Sequence, residues 1–244
     1  MDFGVGLGEG PWGDDGALGA VLGRTADGLG LALPESDGKR CRGAEYVDAR
    51  NGRRAIVCPP GREHRALLVY LKDNGTPLAW GWTADLVDVV RAAAAWTGGA
   101  GLEETRARAP FIRFRPWALV HEREPFGRVE LTWRVKLDRV HIPPYDRHPR
   151  PHALLAAAYA QPVLRRLMPV NSHFNLWFST GVEQPWRTRL GYTICPYDEG
   201  LYGVRYQGAL VTRTETPEEA VAVVVAALPE GLGPAEPRVS GHAP

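Results

Sequence analysis

A helix that delivers directly into an alternating strand constrains this chain more than any other feature of it. Residues 152–168, H-A-L-L-A-A-A-Y-A-Q-P-V-L-R-R-L-M, have the composition of a helix. A kink is expected at Pro162, where the ring removes a backbone donor and crowds the preceding turn. Pro169-Val170-Asn171 then turns the chain. From 172 to 180, Phe174, Leu176 and Phe178 alternate with His173, Asn175 and Trp177, the period of a strand with one face buried. The pattern predicts an α+β fold.

Length admits one large domain or two small ones. A chain of this size buries roughly 70–75% of its unfolded surface, so its core needs no covalent staples. Hydrophobic residues at 44% and charged residues at 23% are those of a globular protein. A net charge of +1 excludes overall steering towards nucleic acid or membrane. Cys41, Cys58 and Cys195 form no C-x-x-C and no disulfide framework, which reads as a reducing compartment. The start, M-D-F-G-V-G-L-G-E-G, lacks the basic and apolar regions of a signal peptide. The longest apolar run, 220–228, falls far short of the roughly 20 residues that span a bilayer. A soluble cytoplasmic protein is expected.

The chain reads as two α+β lobes. Residues 1–101 form the first, with 1–13 a flexible glycine-rich terminus and a glycine-weakened helix over 14–33. Short β-prone runs at 44–49, 54–58, 66–72 and 77–82 are separated by Asn51-Gly52, Pro59-Pro60-Gly61 and Asp73-Asn74-Gly75, an antiparallel meander. Thr83 opens and caps a helix closed by Gly98-Gly99. Residues 152–244 repeat the plan, with strands near 173–179, 191–195 and 201–213, a helix opened by Thr216-Pro217, and a flexible tail over 230–244. Each lobe is thus a helix, a meander and a capped helix. Between them, 102–151 is expected to be a connector that packs across both lobes. It holds a short helix at 102–109, a β-hairpin pairing 117–124 with 129–137, and a Pro-rich linker over 141–151.

Candidate chemistry concentrates in the middle and after the kinked helix. In His121-Glu122-Arg123-Glu124, Glu122 or Glu124 is placed to take a proton while His121 or Arg123 holds an anion. Pro125 stands where H-E-x-x-H needs a ligand, so no zinc-protease site is expected there. His141, Asp146, His148 and His152 are the densest set of metal-ligand types, but the prolines among them deny a shared helical face, and no metal is expected. Arg113, Arg123, Arg187 and Arg189 are candidates to grip a sulfate, phosphate or carboxylate. His173 is a donor candidate beside Ser172. Neighbouring strand residues point to opposite faces, so Ser172 and His173 are not expected to pair. Glu103, Glu104, Glu122 and Glu124 interrupt the basic middle, and no nucleic-acid motif is present.

The order of several segments resembles a family of actinobacterial natural-product biosynthesis proteins of unknown domain function. The segments are R-A-A-A-A-W ending at Trp96, A-P-F-I-R-F at 109–114, H-E-R-E-P at 121–125 and Trp133. They continue with A-A-Y-A-Q-P-V-L-R-R-L-M-P, S-H-F-N-L-W-F-S and T-P-E-E-A-V-A-V-V-V-A-A-L-P. Where that family carries Cys-Thr and Pro-Tyr, this chain has Thr180-Gly181-Val182 and Pro185-Trp186. The resemblance extends to aziridine-forming proteins of azinomycin-type pathways. It implies cofactor-free ring closure, in which an amine displaces a neighbouring sulfate ester on a substrate carried by a small acidic protein. Orientation and a cationic grip on the leaving group would drive such a step. His121, Glu122, Glu124 and His173 would then be catalytic, and Arg113, Arg123, Arg187, Arg189 and Ser172 would bind substrate. The competing expectations are a non-catalytic module that holds a carrier or partner protein, as a homo- or heterodimer, and an immunity-type binding protein.

Overall fold

The computed structural model describes residues 17–36, 43–59, 66–138 and 148–236. Two compact units divide the chain, Met1–Pro125 and Phe126–Pro244. In the first, the elements run α1 (Ala17–Leu29), β1 (Ala44–Val47), β2 (Arg53–Cys58), β3 (Leu67–Asp73), β4 (Thr76–Thr83), α2 (Leu86–Thr97), α3 (Leu102–Arg108), β5 (Arg113–Phe114) and α4 (Pro116–Arg123). The second follows with α5 (Arg128–Asp138), α6 (Pro149–Ala160), α7 (Pro162–Arg165), β6 (Met168–Ser172), β7 (Asn175–Ser179), β8 (Arg189–Asp198), β9 (Leu201–Tyr206), β10 (Ala209–Thr214) and α8 (Pro217–Ala226). Each unit holds one five-stranded antiparallel sheet, ordered β1-β2-β3-β4-β5 and β10-β9-β8-β7-β6. The α+β class and both meanders are as the sequence predicts.

Alternation sets what each sheet buries. On β3, Leu67, Val69 and Leu71 are buried while Leu68 and Tyr70 are half-buried. The buried set meets Leu18 and Leu22 of α1 and Val89, Val90 and Trp96 of α2. In the second unit, Leu176, Phe178, Ile194 and Val204 of the sheet meet Trp133 of α5, Leu154 of α6, Leu164 of α7 and Val221 of α8. Each such aliphatic side chain contributes roughly 1.5–3 kcal/mol by leaving water.

Helix ends follow local chemistry. Gly98 and Gly99 close α2, with Gly99 at φ +98. The cap, however, is Asp85, whose carboxylate accepts from the Val87 amide at 2.8 Å. Thr83 ends β4 and its hydroxyl accepts from the Asp85 amide at 3.1 Å, so it holds the cap rather than being it. Thr216 opens α8 with a reciprocal capping box: its hydroxyl accepts from the Glu219 amide, and the Glu219 carboxylate accepts from the Thr216 amide, each at 3.2 Å.

The expected hairpin over 117–137 is instead two helices, α4 and α5. Val129, Trp133 and Leu137, read as part of a strand alternation, also recur every four residues, and all three contribute to the core of the second unit. Pro116 at the first position of α4 and an i,i+4 contact of 2.7 Å between Arg134 and Glu130 favour the helical reading. The expected connector is divided likewise. Leu102, Ala109, Ile112 and Ala118 enter the first core, and α5 enters the second. At Pro162 the chain does not kink a continuous helix: α6 ends at Ala160 and Pro162 begins α7.

The long strand expected over 172–180 is a hairpin, β6 and β7, with Ser172 facing Asn175 across its turn. The expected tail from 230 is tied down as far as Glu236. The Ala235 amide donates to the Arg166 carbonyl and the Glu236 amide to the Thr180 carbonyl, each at 2.9 Å. Residues 1–13, the Pro59-Pro60-Gly61 turn beyond Pro59, His141 and Asp146 lie outside the described residues. Among the described residues, no helix is long and apolar enough to cross a membrane.

Candidate functional site

The candidate residues fall in two groups. His121, Glu122, Arg123, Glu124 and Arg113 belong to the first unit, and Ser172, His173, Arg187 and Arg189 to the second. Within the first unit Glu122 is already engaged. Its two carboxylate oxygens accept from the Leu102 amide at 3.0 and 3.2 Å, which caps α3 from another helix. Arg53 lies 3.7 Å from the same carboxylate, stacks 4.2 Å over the Trp96 ring and donates to the Ala100 carbonyl. Arg123 is exposed and 3.8 Å from Glu103. Glu124, exposed, ends α4, its amide donating to the Val120 carbonyl at 2.8 Å. Arg113 is exposed on β5, opposite Trp80. His121 is half-buried.

In the second unit, Ser172 and His173 sit at the β6–β7 turn. Contrary to the strand-based expectation they meet, with the Ser172 hydroxyl 3.2 Å from His173 Nδ1. The alternation fails there because His173 and Phe174 form the turn itself, at φ 49 and 68. Phe174 stacks on His148 with ring centres 4.3 Å apart, and His148 Nδ1 lies 3.3 Å from the Tyr197 hydroxyl. Three rings thus close the gap between two turns and the start of α6.

Arg187 and Arg189 are at the other end of the same sheet, because Arg189 pairs with Ser179 at the far end of β7. Arg189 stacks 4.9 Å from the Trp177 ring and donates to the Thr193 hydroxyl. The loop before it is firmly held. The buried Ser179 hydroxyl lies 2.7 Å from the Thr188 hydroxyl and accepts from the Gly181 amide at 3.0 Å, and the Thr180 amide donates to the Thr188 carbonyl at 3.2 Å. This loop carries Trp186 in a short 3-10 turn, Pro185–Thr188. Beside it, Tyr192 and Tyr206 stack at 4.8 Å. Gly191, at φ +85, lies under Tyr206, where an added Cβ would meet the ring at 2.6 Å. Only glycine lets the ring lie there. The β9–β10 hairpin that follows exposes Leu210 and Val211, with a bulge between Leu210 and Thr212.

The outer face of this sheet carries an ion cluster as well. Asp198 lies 3.1 Å from Arg205 and 3.6 Å from Arg213, and Glu199 lies 3.1 Å from Arg213. Burial pushes the Cys195 thiol up, against the pull of Arg205, so it is held as a thiol and is no ready nucleophile. The sequence reading did not single out Trp186, Tyr206, Leu210 and Val211. The available signal was Trp186 between Pro185 and Arg187, and an apolar pair straight after the Gln207-Gly208 turn.

Neither a curated protein nor a solved structure matches the chain. Residues 128–239, all within the second unit, match the model of a family of unknown function, DUF6193.

Proposed function

We propose that the chain is a partner-binding protein whose binding surface is the end of the second sheet that carries Trp186, Tyr206, Leu210 and Val211. The observation behind this reading is their exposure: 66% for Trp186, 42% for Tyr206, 39% for Leu210 and 52% for Val211. Exposed apolar side chains cost free energy in water, and Trp and Tyr are the usual anchors of interaction sites. Held loops support the reading too, since a preorganised surface loses little conformational entropy on binding. The ring-closing alternative asks for a carboxylate that can take a proton; Glu122 is engaged by the α3 amide and Arg53, which leaves exposed Glu124 for that role.

The test places a photo-reactive benzophenone amino acid at Trp186 in the host cell. A defined covalent adduct with another protein is expected, and it should vanish when Leu210 and Val211 are both changed to Asp. Labelling no stronger than from the same probe at exposed Glu104 would end this proposal.

A further inference from the structure

The first sheet has a face turned away from its helices. Strand pairing sets Glu45, Ile56, Tyr70, Trp80 and Arg113 in one row across β1 to β5, and residues directly opposite one another point to the same side. The adjoining row on that side holds Cys58, Leu68 and Trp82, and the row in the other direction holds Arg54 and Lys72. Val57, Val69 and Leu71, which lie between these positions, belong to the core under α1 and α2. Ile56, Leu68, Tyr70 and Trp80 are half-buried and Trp82 is 37% exposed, and none of the five is part of that core.

The charge on this face is one-sided. Glu45 is buried and lies 3.1 Å from Arg54. Asp73, the other acid on these strands, stands opposite Arg53 on the side of Ala55 and Leu71. Among the described residues, Lys72 and exposed Arg113 form no ion pair. Arg115, just beyond β5, lies 5.7 Å from the centre of the Trp80 ring. The face is therefore aromatic at its centre and cationic at its margins.

Independently of the binding reading above, which concerns the second unit, we infer that this face binds single-stranded nucleic acid. Bases stack on Tyr70, Trp80 and Trp82, while Lys72, Arg113 and Arg115 meet the phosphates. Residues two apart on a strand are about 6.8 Å apart and neighbours across strands about 5 Å, so the three rings can take successive unstacked bases. Every base has a π-face, so aromatic rings on a flat sheet hold a strand of any sequence, and a guanidinium fits phosphate with a planar pair of donors. A duplex keeps its base faces in its own stack, which leaves only the cations to hold it. The net charge of +1 for the whole chain conceals the site, because Lys72 of β3 and Arg113 of β5 reach one face only when the strands pair.

The test titrates the intact chain into fluorescein-labelled oligo(dT) and oligo(rU) of about 12 nucleotides, and into a duplex of equal length, with anisotropy as the readout. At least one single strand should bind at least about tenfold tighter than the duplex. Trp82→Ala should weaken that binding at least about fivefold, and Trp82→Tyr, which keeps a ring, should weaken it less, with the fold intact by circular dichroism. Changing Lys72 and Arg113 together to Ala should flatten the slope of log affinity against log salt by about one unit. No binding of either single strand, equal affinity for the duplex, or Trp82→Ala binding as tightly as the parent overturns the inference. So does tighter binding of heparin or of a leucine–glutamate peptide, which would assign the face to an anionic glycan or an acidic protein. None of these outcomes touches the adduct expected at Trp186, so the two readings fail separately.

Discussion

His173 and Phe174 occupy a two-residue turn that normally calls for Asn-Gly, since both positions need positive φ. A side chain with a Cβ pays about 1–2 kcal/mol for that conformation. At Phe174 the strain is offset by the ring's packing against His148 and Tyr197, with ring centres 4.3 and 6.2 Å away. Among the described residues, His173 makes no ring stack and meets only the Ser172 hydroxyl, at 3.2 Å. His173→Asn is therefore expected to raise stability by about 0.5–1 kcal/mol, because Asn tolerates the left-handed region best after glycine. Phe174→Gly relieves the same strain but loses the ring contacts and should come out near neutral or worse. Urea unfolding of the two variants decides between these outcomes. Tyr46 offers a second test. It is 2% exposed, its hydroxyl has no hydrogen-bond partner among the described residues, and burial pushes its pKa up to about 12. An unfolded tyrosine ionises near 10. The contribution of its neutral form to stability is therefore complete below about pH 10 and is lost as pH rises through about 12. Tyr46→Phe should be as stable as the parent at pH 7 or more so, and should resist alkaline unfolding across that window. A Phe variant that unfolds in parallel with the parent would refute the assignment.

At the scale of elements, α3 depends on a residue twenty positions away in the chain. Its first free amide, Leu102, is satisfied by Glu122 of α4, and Arg53 of β2 completes the triangle. Glu122→Ala leaves a partly buried donor and a cation without the carboxylate and should cost about 1–3 kcal/mol, read from the urea midpoint. Glu122→Gln keeps one acceptor and should lose less. Unchanged stability in both would mean that the carboxylate is not holding the helix. Thr216→Ala, which removes one half of the α8 capping box, should cost about 1 kcal/mol. The two helix starts differ in legibility. Thr216-Pro217-Glu218-Glu219 is a local signature, whereas the Glu122 cap exists only once α4 has folded back onto α3.

At the scale of the molecule, each unit owns a closed core. The buried set of the first comes from residues 18–118 and that of the second from 133–224. A fragment spanning 126–244 is accordingly expected to fold alone, with a single cooperative urea transition and native-like near-ultraviolet circular dichroism from Trp133. A fragment that binds hydrophobic dye and melts without a transition would show that its core is incomplete. The repeated plan of helix, meander and capped helix has a common physical basis. A twisted antiparallel sheet of this size has one face to cover, and the helices before and after it are the nearest apolar surfaces.

Local chemistry determined a good part of this protein. The α+β class, both meanders, the Asn-Gly turn at Asn74 and Gly75 and the Thr216 cap were legible because period, turn residues and capping groups act over a few positions. Three things were decided only by tertiary structure. Val129, Trp133 and Leu137 satisfy a two-residue and a four-residue period alike, and the choice of helix came from the core that receives them. Glu122, legible as an acid, became a cap because α3 lies beside it. The exposed Trp186, Tyr206 and Leu210 are brought to one end of the sheet by strand pairing, from positions up to 24 residues apart in sequence. No local pattern records such a surface, because exposure is a property of what fails to be covered, and that is settled only when the whole unit has packed.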